Sequence, residues 1–356
     1  ASLQGFRITL YAKKAWGNGA IPFRDGHIEF CPSPTAENLQ SVFDQLREPN
    51  GRFYFVCFSD DAAIALRTRN GEIKRANIDI SKCDASHGPQ MFREFVSLFG
   101  EHSGDVQILV DQCTCPLQVN SITQKYGKSD RVVMEPGDPR LYSGTTLTTV
   151  FNTYASFFYG VALGELEDLN EADIHRVAAS RGYLVTVDMC HTFEDCFFLK
   201  HYPVKDITGR YRPVLAIGVL CRMSGTCKGE YPGRGPVEER AKAFQAALLQ
   251  GAYPYTSVPF IGRMKANVAG AKTTERQEKQ ITRLIGRALE YKTPHQKRQP
   301  TRYFTSHQIL KRYNLSEAEE VDVIDALSTA MVGDAIASSG FTKILKLDYE
   351  LASLEA

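Results

Sequence analysis

The stretch from residue 52 to residue 80 constrains this chain more than any other part of it. Two short apolar runs, 52–58 and 62–67, flank Ser59-Asp60-Asp61, and Asn70-Gly71 then leads into a third run, 73–80. Runs of this length and composition read as strands, and Asn-Gly between them is a strong hairpin signal. Asp60 lies ten residues before Asn70 and Asp79 nine after it, so a chain that turns there returns Asp79 beside its starting point. Antiparallel neighbours sit side by side. Asp60, Asp61 and Asp79 are therefore expected to converge on one edge of a sheet. Carboxylates gathered that closely repel, and hard divalent cations with oxygen ligands, Mg²⁺ above all, suit them best. Two such ions about 3.5–4 Å apart can clamp the attacking and leaving oxygens of an in-line phosphoryl displacement. Taken alone, Asp60-Asp61 is also what an ordinary hairpin turn holds.

The segments that follow narrow the choice. Asp84 stands five residues after Asp79 in Asp79-Ile80-Ser81-Lys82-Cys83-Asp84. Further on, Tyr142-Ser143-Gly144-Thr145-Thr146-Leu147-Thr148-Thr149-Val150-Phe151-Asn152 opens an uncharged but polar helix, expected over 146–163. Thr148 and Asn152 are four apart and share a helix face, while Gly144 permits unusual backbone just before it. Such a face can hydrogen-bond a sugar and a template base.

These segments resemble motifs of viral RNA-directed RNA polymerases: motif A in Asp79 to Asp84, motif B in Ser143 to Asn152, and motif C in Phe58-Ser59-Asp60-Asp61. Gly182-Tyr183-Leu184-Val185-Thr186 resembles motif D, and Phe197-Phe198-Leu199-Lys200 resembles the Phe-Leu-Lys element of motif E. The resemblance covers about residues 51–225. Its order is C, A, B, D, E, the permuted order known in birnaviruses and permutotetraviruses. The birnavirus turn reads Ala-Asp-Asn, so Ser-Asp-Asp is more similar to the permutotetravirus form.

The resemblance implies an α+β fold: a right-hand polymerase palm, with an antiparallel sheet and flanking helices, plus a helical thumb. Residues 1–50 would be an N-terminal segment and remnant of fingers, 51–202 the palm with a finger insertion near 100–140, and 203–356 the mostly helical thumb. The implied activity is template-directed RNA synthesis for viral genome replication and transcription. Asp60 and Asp79 would bind Mg²⁺, or Mn²⁺ in its stead, with Asp61 an accessory ligand. Asp84, Ser143 and Asn152 would check the ribose 2′-hydroxyl, with Gly144 beside them and Thr148 supporting the network. Lys200 would approach the primer strand. Motif D often carries a lysine suited to protonating pyrophosphate; here the loop 187–191 has none, and His191 is the candidate acid or an ordinary surface histidine. Lys297 and Arg298, in the basic connector 292–302, read as a grip on duplex phosphates or as a solvated linker. The implied partners are RNA template and nascent RNA, nucleoside triphosphates, and other viral replication or capsid proteins. The implied location is the host cytoplasm, within a virion or replication complex. A reverse transcriptase, and a non-catalytic RNA-binding or virion protein with a polymerase-like fold, are the rival readings.

Composition bounds the rest. With 356 residues, 43% hydrophobic and 23% charged, the chain has room for two or three domains and the make-up of an ordinary globular protein. A net charge of +1 excludes a globally basic surface, so any nucleic-acid channel must be charged locally. The nine cysteines have no zinc-like spacing and read as reduced thiols. No signal pattern precedes Gln4, and the absent initiator Met suggests a processed or partial product. Residues 141–164 lack charge but hold too many polar groups for a membrane span. Helices are expected at 37–47, 90–99, 171–181, 238–249, 274–291, 307–313 and 316–331. Strands are expected at 183–187 and from 196, residues 100–140 read as irregular, 213–220 fits helix or strand, and the Gly- and Pro-rich 203–235 is the expected domain boundary.

Overall fold

The computed structural model describes residues 2–16, 19–31, 36–120, 131–135, 138–142, 147–219, 221, 231, 233–249, 258–271, 304–331 and 334–349. The chain forms two compact units: residues 1–32 with 44–191, and residues 33–43 with 192–356. The division falls at 191/192, ahead of the Gly- and Pro-rich stretch, and residues 1–32 belong to the first unit rather than standing apart.

The first unit is built on a six-stranded sheet of order β1-β2-β3-β4-β5-β8. Its strands are β1 (Ile21–Phe23), β2 (Gly26–Phe30), β3 (Phe53–Phe58), β4 (Asp61–Arg67), β5 (Ile73–Ile80) and β8 (Val185–Cys190). The meander β3-β4-β5 is antiparallel as expected. β2, however, runs parallel to β3, so the sheet is mixed rather than purely antiparallel. A parallel neighbour needs a crossover, and α2 (Ala36–Arg47), the helix after α1 (Ser2–Trp16), lies in that connection. The β4–β5 loop uses Gly71 at φ +82°, with its N–H donating to the Thr68 carbonyl at 2.9 Å. That is the left-handed position a type I turn with a bulge reserves for glycine.

Residues 100–140 are less irregular than expected. They hold α5 (Ser103–Asp111) and a two-stranded ladder of β6 (Leu117–Asn120) and β7 (Arg131–Met134). Val106, Leu109 and Val110 give α5 a buried face, a three-to-four spacing easily missed in a segment rich in turn residues. α4 (Pro89–Ser97) starts with Pro at its first turn and buries Met91, Phe92 and Phe95. The last two stack on Phe151 with ring centroids 4.6 and 4.8 Å apart.

Phe151 belongs to α6 (Thr148–Leu163), the helix that covers the sheet. Its Gly160 and Gly164 lie against Phe55 and Phe53 of β3, both fully buried. A Cβ added at Gly160 would fall 2.3 Å from Phe55 Cε1, so only glycine lets helix and strand approach this closely. The end of α6 is tied down by Arg52, which donates to the Gly164 and Leu166 carbonyls and pairs with Asp25 at 2.6 Å. α7 (Glu171–Ser180), N-capped by Asn170, leads into β8. Among the described residues no helix is long and apolar enough to cross a membrane, and the cysteines there are free thiols.

The second unit joins a hairpin, β9 (His201–Lys205) with β10 (Tyr211–Leu215), to helices α8 (Val237–Leu249), α9 (Pro259–Asn267), α10 (Ser306–Leu310), α11 (Glu317–Thr329) and α12 (Ser339–Tyr349). The expected helix at 274–291 lies outside the described residues. The strand expected from 196 begins at His201, after a turn in which Leu199 and Lys200 have φ of +50° and +59°. The hairpin is closed by buried Asp206, which accepts from Thr208 N, Thr208 Oγ1, Arg210 N and Arg212 Nε. Burial pushes this carboxyl up, but the hydrogen bonds together carry it net below the usual carboxylate range. Its folded value therefore lies under its unfolded value near 3.9, and the stabilisation is present above that pH and lost below it. Asp206→Asn is expected to lower the melting temperature at pH 7, and the gap from wild type should shrink as pH falls below about 4. A gap that stays constant through acid would disprove the assignment.

Candidate active site

The turn between β3 and β4 is two residues long, since Phe58 pairs with Asp61 across it. Ser59 occupies its first position at φ +57°, where such turns favour glycine. A non-glycine residue there costs of order 1 kcal/mol or more and persists only when its surroundings hold it. α6 supplies that hold. Thr153 Oγ1 accepts from Ser59 N at 2.8 Å, Ser156 Oγ donates to Ser59 O at 2.7 Å, and Asn152 Nδ2 lies 3.4 Å from Ser59 Oγ. Thr153 and Ser156 carried no motif. Their only sequence signal is small polar side chains on the face of an otherwise apolar helix.

The ladder then decides which acids meet. Asp61 pairs directly with Asp79 of β5, and Asp60 lies one residue beyond, in the turn. Ile80 N donates to the Asp60 carbonyl at 3.3 Å. This makes Asp61–Asp79 a non-hydrogen-bonded pair, the closer of the two cross-strand spacings. Like charges directly opposite one another are destabilising. Asp60, Asp61 and Asp79 are all half-buried. Counting from Asn70 brings Asp60 to Asp79; the structure brings Asp61 there and keeps Asp60 adjacent.

Asp84 sits in the short helix α3 (Cys83–Ser86), entered through Lys82 at φ +51°. Its Oδ1 accepts from Asn152 Nδ2 at 2.8 Å. The neighbouring Cys83 thiol is pushed up by burial and, further, by the charges of Asp60, Asp84 and Asp79. All three carboxylates thus act on one buried atom. Thr148 opens α6 and donates to the Tyr142 carbonyl at 3.1 Å. Ser143 and Gly144 lie outside the described residues, as do Lys297 and Arg298.

Two further candidates are His191 and Lys200. β8 pairs Thr186 with Asp79 and Cys190 with Arg75, so it runs away from the carboxylates. His191, exposed beyond its end, is about 16 Å along the strand from Thr186 at 3.3 Å per residue. It is not brought to the carboxylate end of the sheet. The segment that does reach the carboxylate end is the α7–β8 loop, where the Leu184 carbonyl accepts from Ser81 N at 2.9 Å. Lys200 belongs to the second unit. There its ammonium donates to the Asp348 carbonyl at 3.3 Å and lies 5.3 and 5.4 Å from the Phe197 and Tyr349 ring centres.

Among the described residues no three His, Cys, Asp or Glu side chains form a ready metal cage. Mg²⁺ does not require one, because it keeps several waters and is commonly bound by one or two carboxylates together with substrate phosphates. A facing pair of half-buried carboxylates, with a third next in the turn, offers the oxygen ligands that cation takes.

No protein-family model matches the chain, and no curated protein matches it. Among solved structures it is similar to the X-ray structure of the birnavirus VP1-VP3 complex, at 12% identity and a TM-score of 0.42. The alignment covers 89% of this chain and 50% of the other, so the chain spans about half the length of its match.

Proposed function

We propose that the first unit carries the catalytic centre of an RNA-directed RNA polymerase, joining ribonucleotides to an RNA 3′-hydroxyl with release of pyrophosphate. One observation carries this reading: Asp61 faces Asp79 at the end of one sheet, with Asp60 next in the turn, near a carboxylate, Asp84, that is tethered to the helix residue Asn152. Repelling acids at a strand end and a carboxylate held by an amide are what nucleotide transfer needs: a cation site, and an acceptor for a sugar hydroxyl.

The roles follow from the chemistry. Asp60, Asp61 and Asp79 would hold Mg²⁺, or Mn²⁺ in its place, which neutralises the triphosphate and developing charge when bound. Asp84 keeps one oxygen on Asn152 and has a second to accept the ribose 2′-hydroxyl. Positioning and charge neutralisation supply most of the rate, since phosphoryl transfer leaves little covalent chemistry to the protein. RNA template, nascent RNA and nucleoside triphosphates are the partners this reading requires, with Lys297 and Arg298 in the basic connector available to duplex phosphates.

Primer extension on an RNA template with Mg²⁺ tests the proposal. Wild type is expected to incorporate ribonucleotides. Asp84→Ala is expected to lower the ribo- over deoxyribonucleotide preference by about 10- to 100-fold, because a hydroxyl acceptor sets such discrimination. A preference for deoxynucleotides would instead indicate a reverse transcriptase, and RNA binding without synthesis a non-catalytic protein.

A further inference from the structure

Behind Asn152 stands a residue that no motif assigns. His87 follows α3 and is 6% exposed. Its Nε2 lies 2.8 Å from Asn152 Oδ1 and its Nδ1 3.2 Å from the Tyr183 hydroxyl. Phe151, Tyr183 and Phe92 wall the imidazole edge-on, with ring centroids 4.6, 5.8 and 6.4 Å away. The Cys83 sulfur also lies near Nε2, a weak partner at 3.8 Å.

Proton bookkeeping orients the whole chain. An ionised carboxylate only accepts, so Asn152 turns its NH₂ to Asp84 and its carbonyl oxygen to His87. An amide oxygen at 2.8 Å needs a donor, so His87 carries its proton on Nε2. Burial pushes the imidazole below its ordinary range, against the Asn152 hydrogen bond and the Asp84 charge. The ring is then neutral at neutral pH, and Nδ1 accepts from Tyr183. Donation runs from Tyr183 to His87, from His87 to Asn152, and from Asn152 to Asp84.

We propose that His87 is a positioning residue that locks the Asn152 amide with its NH₂ on Asp84, and so sets the discrimination between ribose and deoxyribose. The inference rests on the polymerase reading above. Without a donor at Nε2 the amide can rotate and present its oxygen to the carboxylate, which frees Asp84 from the geometry that meets a 2′-hydroxyl.

Two measurements decide it. The first is nitrogen NMR of wild-type protein with ¹⁵N-labelled histidine at neutral pH. His87 is expected as the neutral ring protonated on Nε2; protonation on Nδ1, or a charged ring, would overturn the orientation whether or not the protein makes RNA. The second is the ratio of kcat/KM for a ribonucleotide over its deoxy counterpart. His87→Phe is expected to lower that ratio about 10-fold, the worth of one buried hydrogen bond, whereas a merely structural role would weaken both nucleotides alike. His87→Gln, which returns an N–H near the Nε2 position, should keep the ratio within about threefold of wild type. Tyr183→Phe keeps the ring and removes only the donor to Nδ1; it should lower the ratio several-fold, and it serves if His87→Phe does not fold. A ratio unchanged in the folded variants overturns the proposal. A wild type that incorporates no nucleotide overturns the polymerase reading, while the tautomer still answers for the orientation.

Discussion

Asp79→Asn and Asp60→Ala are each expected to reduce ribonucleotide incorporation by on the order of 10³-fold or more, without loss of folding. The rate effect follows from removing charge where the transition state needs a cation anchored. The stability effect has the opposite sign. Asp61 and Asp79 face each other at the narrower cross-strand spacing, and like charges there cost about 0.2–1 kcal/mol. Asparagine keeps the hydrogen-bonding capacity of Asp79 and relieves that repulsion, so the melting temperature of Asp79→Asn should hold or rise. Added Mg²⁺ should raise the melting temperature of wild type and have little effect on Asp79→Asn, since a ligand that binds only the folded state stabilises it by mass action. Primer extension and thermal unfolding, with and without MgCl₂, give both readouts. Retention of a tenth of wild-type activity by either variant would sink the site; a drop in both activity and stability would make the residue structural.

Gly160→Val is expected to destabilise the first unit by about 3 kcal/mol or more, a large effect for one side chain added to a helix. At an exposed helical position, replacing glycine commonly stabilises, by up to about 1 kcal/mol for alanine. Here the first carbon would already lie 2.3 and 2.5 Å from Phe55 Cε1 and Cζ. Phe55 is fully buried and cannot swing aside, so α6 must lift from β3. The displacement carries Thr153 and Ser156 away from Ser59, and Asn152 away from Asp84, so activity should fall with stability. Urea unfolding followed by circular dichroism measures the change. A loss under about 0.5 kcal/mol would mean that helix and strand are not packed as described. Shortening the partner in Gly160→Ala/Phe55→Leu should recover part of what Gly160→Ala loses.

Much of this was legible before any coordinates. The strands, the Asn70-Gly71 turn and the covering helix follow from short-range rules, because alternation, turn residues and uncharged faces act over a few residues. Asp84 and Asn152 were singled out by spacing, and they meet at 2.8 Å. Pairing was legible only to within one residue. Counting from Asn70 cannot know that the loop takes five residues, 68–72, and that length, which pairs Arg67 with Ile73, brings Asp61 to Asp79. The parallel strand β2 was missed because its partner depends on where a crossover lands. α5 was missed because its apolar face is only three residues wide.

Sequence by itself determined which groups are available: the acids at 60, 61, 79 and 84, the amide at 152, and strands short enough to gather them. Tertiary structure decided which of them touch. It set His191 at the end of β8 away from the carboxylates, and it added His87, Thr153 and Ser156, which no pattern marks. The reason is physical. Composition and periodicity record what each residue prefers locally, whereas a hydrogen bond between residues 65 positions apart depends on the packing of every element between them.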